Sequence, residues 1–351
     1  MRIVEVKAGT PYQVRIRRGL IDRVGQELLE LLGKPCKTAI LTDRTVNALY
    51  GERVEASLKH AGFDPCRYAI EPGEEHKTLA DWQGMLEFMA GQHLTRSDCV
   101  VALGGGIPGD MAGFAAACYL RGVRFIQIPT TLLAMVDSSV GGKTGVNLSS
   151  GKNQLGAFYQ PRMVLCDPDV LATLPAETLA DGVSESIKYG VLGESAVFDW
   201  FENGDWTRHT EELIQRCIQA KAVVVEEDER DTGSRQFLNL GHTLGHAIEK
   251  NSDYRITHGH AVAIGMVLAA KLSQQLGLCQ QQDVERLIRT LERNHLPTAT
   301  VYTAAQLADA ALSDKKRTGG TLTLVLPEAI GRCRLHPVDV AGLEELIALS
   351  L

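Results

Sequence analysis

The feature that most limits what this chain can fold into is an alternation in its first half. Short apolar or β-branched runs, Lys37-Thr-Ala-Ile-Leu-Thr, Cys99-Val-Val-Ala-Leu and Phe125-Ile-Gln-Ile, are separated by longer amphipathic stretches at Asn47 to Ala61 and Met111 to Leu120. Strands and helices alternating on this scale form βαβ units, which assemble into a parallel sheet with helices on its faces. Such a sheet gathers its ligand sites at the carboxyl ends of its strands, where Asp43 and the Gly104-Gly-Gly turn stand. Beyond about Pro168 the strand signals fade. Helical periodicity runs from Leu179 through Leu276, with further helices expected near Gln281 to Asn294 and Val338 to Leu349. One late β-like run, Thr321-Leu-Thr-Leu-Val-Leu-Pro, reads as an edge hairpin with Gly331-Arg-Cys-Arg-Leu. The expected architecture is an α/β, Rossmann-like nucleotide-binding domain over residues 1–167 and a mostly α-helical domain over residues 168–351, as suits a chain of 351 residues.

Within the helical half, His242 and His246 lie one helical turn apart in Leu-Gly-His-Thr-Leu-Gly-His-Ala, and His258 follows in Thr-His-Gly-His. Residues four apart project from one face of a helix, so two imidazoles at that spacing can share a divalent ion, with a third ligand arriving from the next element. A pair of capping or hydrogen-bonded core histidines is the plainer alternative. The best anionic ligand is Glu185, on a helix beginning near Pro175 among Val183, Ile187 and Tyr189. From spacing alone an ion pair with Lys188 on the same helix face serves Glu185 equally well. Asn239, three residues before His242, falls on the His242 face and could orient substrate hydroxyls.

Gly104-Gly-Gly-Ile-Pro-Gly-Asp leads into a helical stretch, so its amides and the helix N-terminus could hold phosphate oxygens, although triple glycine also makes a plain tight turn. It lacks the Gly-x-Gly-x-x-Gly spacing of the usual dinucleotide fingerprint. Pro129-Thr-Thr adds hydroxyls near the same sheet edge. Lys143 and Lys152 lie in polar, glycine-flanked segments, Val136 to Thr144 and Ser150-Gly-Lys-Asn, while Arg121, Lys188, Lys221 and Arg235 lie in or beside apolar helical context. Cations so placed call for partners, and a substrate carrying phosphate and carboxylate would supply them; surface snorkelling is the bland reading of Arg121 and Lys221.

Composition narrows the function class. With 44% apolar and 23% charged residues the chain has ample material for a large core. A net charge of -7 argues against a general nucleic-acid or anionic-membrane binder. Eight scattered cysteines with no Cys-x-x-Cys pair read as reduced core residues. The N-terminus, Met-Arg-Ile-Val-Glu-Val, resembles an edge strand rather than a signal peptide, and Ala261 to Ala270 is too short an apolar run to span a bilayer, so a cytoplasmic address is expected.

Taken in order, Gly73-Glu-Glu-His-Lys-Thr-Leu, Gly104-Gly-Gly-Ile-Pro-Gly-Asp, Tyr119-Leu-Arg-Gly, Pro129-Thr-Thr, Val136-Asp-Ser-Ser-Val-Gly-Gly-Lys-Thr, Gly151-Lys-Asn, Glu185 to Gly190, Leu238 to Glu249, His258-Gly and Asp314-Lys-Lys resemble the 3-dehydroquinate synthases of the sugar phosphate cyclase superfamily over nearly the whole chain. The long Val136 to Thr144 string favours that branch. The resemblance implies NAD, one divalent metal (zinc or cobalt), a sugar phosphate substrate, and a homodimer that lends Arg121 to the neighbouring site. It puts the metal on Glu185, His242 and His258, leaving His246 for substrate or proton transfer. It puts NAD contacts on Asp43, Glu74, Lys77, the Gly105-Gly106-Ile107 turn, Asp110, Thr130, Thr131, Lys143, Lys152 and Thr173. Substrate contacts fall on Arg121, Asp137, Lys143, Asn153, Lys188, Lys221, Arg235, Asn239 and one of Lys315 and Lys316.

Several positions depart from the family pattern. Pro108 removes one amide donor from the glycine turn. Glu177-Thr178 stands where an Arg-Glu pair is typical, so one expected carboxylate on the cofactor side is missing, and His260 replaces a glutamate common after His-Gly, so either the surroundings of the ion differ or His260 itself approaches it. The implied reaction converts 3-deoxy-D-arabino-heptulosonate 7-phosphate to 3-dehydroquinate and phosphate. It proceeds by transient oxidation with NAD, β-elimination, return of the hydride and aldol closure. Another sugar phosphate cyclase, an iron-type NAD-dependent alcohol or glycerol dehydrogenase, and a noncatalytic nucleotide- or metal-binding relative are the alternatives. The lysine and arginine set argues against a small neutral alcohol as substrate.

Overall fold

Cys99–Gly104 is buried along its whole length and Lys37–Asp43 along all but its first residue, as strands covered on both faces must be. In the computed structural model, which describes residues 1–231, 233–312 and 320–351, these two strands lie side by side at the middle of a sheet. The strands of the first part of the chain are β1 (Arg2–Val6), β2 (Tyr12–Ile16), β3 (Lys37–Asp43), β4 (Asp64–Ile70), β5 (Cys99–Gly104), β6 (Arg124–Pro129), β7 (Lys143–Leu148), β8 (Gly151–Phe158) and β9 (Met163–Cys166). Seven of them form one sheet ordered β1-β2-β9-β6-β5-β3-β4, antiparallel only at the β1/β2 edge. The helices between them are α1 (Val24–Leu32), the single turn α2 (Arg44–Val46), α3 (Glu52–His60), α4 (Leu79–Gly91) and α5 (Gly106–Cys118). The chain leaves β3 for β4 on one side and leaves β5 for β6 on the other. The strand order therefore reverses between β3 and β5, and a crevice opens there at the carboxyl ends, beside Asp43 and Gly104.

Chain contacts divide the described residues into two units. The first is Met1–Leu174 with Lys221–Arg230; the second is Pro175–Ala220 with Asp231–Leu351. The core of the first packs α4 and α5 against β3, β5 and β6 through Met85, Met89, Val100, Met111, Phe114 and Phe125. β7 and β8 form a separate antiparallel hairpin. Its shaft is held by Gly145 opposite Gly156, where a Cβ on Gly156 would meet the Thr144 carbonyl oxygen at 1.9 Å.

The second unit is helical: α6 (Ala176–Leu192), α7 (Ser195–Asn203), the first part of α8 (Thr210–Glu227), α9 (His242–Asn251), α10 (His258–Gln275), α11 (Gln281–Arg293), α12 (Ala304–Leu312) and α13 (Leu343–Ala348). The late hairpin is present as β10 (Thr321–Ala329) paired with β11 (Arg332–Asp339).

Three local expectations are corrected. The helix expected at Val338 to Leu349 starts only at Leu343, because Val338 still pairs with Leu322 in the hairpin. The helix after the glycine turn begins at Gly106, not Met111. Pro108 is its third residue, where an amide has no partner within the helix, so the ring costs no helical hydrogen bond and Gly109 makes the first, to Gly105 O at 3.1 Å. The segments bearing Lys143 and Lys152 are strands of the β7/β8 hairpin rather than loops. None of the eight cysteines forms a disulfide with another. No helix among the described residues is long and apolar enough to cross a membrane.

Candidate active site

In the second unit, three helices aim ionisable side chains at one point. α6 supplies Glu185 and, one turn on, Lys188; α9 supplies His242; α10 opens on His258. Glu185 is 1% exposed, yet neither carboxylate oxygen meets hydrogen-bond geometry with a partner. Instead His242 Nε2 and His258 Nε2 both stand 3.3 Å from Glu185 Oε1, and Lys188 Nζ stands 2.5 Å from Oε2. The ion pair with Lys188 and the approach of the two histidines are thus both present. One atom from each of Glu185, His242 and His258 lies within 4.8 Å of the others.

The outer nitrogens of both rings are engaged. His242 Nδ1 lies 3.0 Å from Leu240 O, and His258 Nδ1 lies 3.1 Å from Glu249 Oε2. A carbonyl and a carboxylate only accept, so both Nδ1 atoms carry a proton, and Nε2, the atom turned toward Glu185, is the one each ring could offer to an ion once it carries no proton. Two imidazole nitrogens, each 3.3 Å from one oxygen of a buried carboxylate whose other oxygen is paired with Lys188, fit a divalent ion such as zinc or cobalt.

Electrostatics follow from the same contacts. Burial alone would raise the Glu185 carboxyl, but the Lys188 ammonium and His242, with contacts from both imidazoles, hold it well below the usual carboxylate range. Burial pushes His242 down to about 4 against the pull of Glu185. It opposes protonation of His258 as well, where contacts with Glu185 and Glu249 prevail and lift the imidazole to about 10.

Other expected residues of this unit stand nearby or at defined places. The His246 ring centre is 5.5 Å from that of His242 and 5.7 Å from that of His258, and His246, Glu249 and His258 also bring ligand atoms within 4.8 Å of one another. Arg235 is buried in the short turn Ser234–Asn239, which ends on Asn239 just before α9. Lys315 and Lys316 lie outside the described residues.

The residues expected to contact the cofactor lie in the first unit. Asp43 ends β3, accepts the Val46 amide at 2.8 Å, and has its carboxyl raised by burial. Gly105 precedes α5, whose first turn contains Gly106, Ile107 and Asp110. The Thr130 amide bonds Gly104 O at 2.9 Å, and Thr131 Oγ1 accepts the Ala134 amide at 3.1 Å. Thr173 shares a 2.6 Å hydroxyl contact with Tyr50.

The β7/β8 hairpin carries Lys143 at one end, with Lys152 and Asn153 at the other. Lys77 Nζ joins Asp110 Oδ2 and Asn153 Oδ1, each at 2.6 Å. Lys152 lies 4.0 Å from Glu74. Lys221 contacts Asp137 through its carboxylate and, at 2.8 Å, its carbonyl, so α8 returns to this unit with a cation. Arg121 is exposed on a turn where Leu120, Arg121 and Gly122 all have positive φ.

Three participants escape a reading by motif. Glu249 lies seven residues after His242, two helical turns along one face, a spacing that could have revealed it. Asn147 donates to Glu74 Oε1 at 2.7 Å and accepts the Asn153 amide at 2.8 Å. Asp181 contacts the start of α10. No sequence signal marks the last two.

Two family models match the chain, "3-dehydroquinate synthase N-terminal" over residues 67–181 and "3-dehydroquinate synthase C-terminal" over residues 182–317. The chain belongs to the 3-dehydroquinate synthase family. Curated 3-dehydroquinate synthases of Caulobacter vibrioides and Desulforamulus reducens are 46% and 44% identical, with 99% and 100% of this chain and 98% and 100% of theirs aligned. Among solved structures, a 2-deoxy-scyllo-inosose synthase complexed with carbaglucose-6-phosphate, NAD+ and Co2+ matches with a TM-score of 0.88 at 26% identity, covering 100% of both chains. ValA, the 2-epi-5-epi-valiolone synthase of Streptomyces hygroscopicus with NAD+ and Zn2+ bound, matches equally at 0.88 and 26%, covering 100% of this chain and 99% of its own. A probable glycerol dehydrogenase from Sinorhizobium meliloti, at 17% identity and a TM-score of 0.60, shares the fold alone, with 96% of each chain covered.

Proposed function

We propose that this chain is a cytoplasmic, homodimeric 3-dehydroquinate synthase that turns 3-deoxy-D-arabino-heptulosonate 7-phosphate into 3-dehydroquinate and inorganic phosphate, a step of the shikimate pathway. The observation that carries the reading is the buried Glu185 carboxylate, left outside hydrogen-bond geometry with the Nε2 atoms of His242 and His258 each 3.3 Å from Oε1, in a chain of this family. Glu185, His242 and His258 would hold the divalent ion. Asp43, Glu74, Lys77, Gly105, Gly106, Ile107, Asp110, Thr130, Thr131, Lys143, Lys152 and Thr173 would hold NAD. When bound, NAD accepts and returns a hydride, and the ion polarises the oxygen on the carbon that is oxidised.

The chain's own residues bind and orient. Lys143, Lys188, Lys221 and Arg235 neutralise the substrate's phosphate and carboxylate, which a small neutral alcohol would not require. Asp137 keeps the Lys221 ammonium in place. Asn239 and Asn153 orient hydroxyls, and His246 moves protons at the reacting carbon. One of Lys315 and Lys316 completes the cationic set, and Arg121, exposed on its turn, serves the neighbouring subunit's site.

Purified protein given the heptulosonate phosphate, NAD and a divalent ion should release phosphate without lasting NADH, and should stop on chelation. Net accumulation of NADH would overturn the reading in favour of a dehydrogenase; tight NAD binding with no phosphate released would point to a noncatalytic relative.

A further inference from the structure

We propose that Asp181 is a positioning residue for the divalent ion: acting through Thr257 and His260, it sets where His258 stands relative to Glu185. The proposal rests on the reading of Glu185, His242 and His258 as ligands. Asp181 lies on α6, four residues and so one helical turn before Glu185. The residues it grips flank His258 on both sides. Asp181 Oδ1 accepts from the Thr257 hydroxyl at 2.6 Å, from the His260 amide at 3.2 Å and from His260 Nδ1 at 3.0 Å, while Thr257 Oγ1 and His260 Nδ1 stand 2.7 Å apart.

These contacts do the work of a helix cap from outside the helix. The first amides of α10 have no partner within it, and Thr257, at the cap position, makes no side-chain bond to them. A carboxylate from a different helix takes the His260 amide instead, where it also meets the positive end of the helix dipole. The two backbones are close enough to need a glycine between them: a Cβ on Gly259 would lie 2.3 Å from Asp181 Cα. The grip is therefore short and direct. The helix carrying Glu185 fixes the opening turn of the helix carrying His258, and the 3.3 Å approach of His258 Nε2 to Glu185 Oε1 follows from it.

The same geometry accounts for the departure at position 260. A glutamate there would set a second carboxylate beside Asp181, with like charges a few ångströms apart and only the single Thr257 hydroxyl proton to share between them. Histidine supplies the donor, so Asp181 and His260 work as a pair in this chain.

The test is ion affinity of the metal-depleted full-length protein, read by Co2+ absorption and by Zn2+ competition with a chromophoric chelator, alongside circular dichroism. We expect D181L and H260E to weaken binding about tenfold or more and to alter the Co2+ spectrum, the size usual for groups that orient a metal-ligating histidine. D181N, which keeps an Oδ1 acceptor, should retain most of the affinity. Should D181L fail to fold, H260E and T257V, which remove no core side chain, carry the same expectation. Wild-type affinity and spectrum in D181L, or in H260E and T257V together, would overturn the proposal while leaving the ligand reading intact. A wild-type protein that binds no ion, indistinguishable from E185Q, would instead overturn the ligand reading and this proposal with it.

Discussion

Lys77 is bound to Asp110: its ammonium donates to Oδ2 at 2.6 Å, and the same nitrogen donates to Asn153 Oδ1. The lysine side chain is 5% exposed and the aspartate 20%. Burial raises the Asp110 carboxyl and Lys77 pulls it back. A residual rise means that the folded state holds the Asp110 proton more tightly than the unfolded one. Asp110 thus lowers stability as pH climbs from its unfolded pKa to its folded one.

Lys77→Met removes the counterion and extends that window upward. The variant should lose about 2–3 kcal/mol at pH 7, below the full value for breaking a buried pair because Asp110 is partly wetted. Part of the loss should return on acidification. Urea melts at two pH values check this, and K77M/D110N should recover most of the deficit; no recovery would show that the pair is not the cause.

Glu185→Gln keeps the shape of the buried side chain but removes its charge. It should bind NAD as wild type does, hold less than a tenth of the wild-type ion content, and release phosphate at least about a hundredfold more slowly. Elemental analysis after gel filtration, paired with a phosphate assay, decides it. Wild-type ion content in this variant would place the ion elsewhere.

Lys143→Ala should slow phosphate release by about a hundredfold and hurt that step more than the first oxidation, since a lysine at the phosphate assists departure of that group more than removal of a hydride. Rapid-mixing absorbance should show NADH appearing early and persisting. An absent early signal would assign Lys143 to the oxidation step or to binding.

Gly156→Ala forces a methyl group onto the Thr144 carbonyl. Overpacking against backbone, which cannot swing aside, should cost about 2 kcal/mol or more. It should also raise KM, because the hairpin carries Lys143, Lys152 and Asn153. A variant with unchanged denaturation midpoint and KM would show that the two arms part easily.

Much of the first unit was legible in the sequence because its central strands are buried on both faces and therefore read as unbroken apolar runs. β4 was harder: its residues are mostly half-buried, and Asp64, Pro65 and Arg67 interrupt the pattern. The hairpin at Lys143 to Phe158 looked like loop because glycines stand where a strand normally shows β-branched side chains. In the site, His242 and His246 stood out through helical spacing, but spacing favours neighbours on one helix. It could not show that Glu185 and His258, seventy-three positions apart, converge on His242 while His246 turns to a second grouping with Glu249. The family resemblance supplied that assignment. Asp181 and Asn147 carried no signal, since a lone carboxylate or amide acquires its role only from the partners that folding brings to it.

The glycine shaft of the β7/β8 hairpin also bears on how such a chain can change. Where backbone lies directly on backbone, at Gly145 and Gly156, almost any substitution is forbidden, so the crossing of the two arms is frozen. Libraries aimed at accepting a different sugar phosphate would therefore do best to leave this glycine pair untouched.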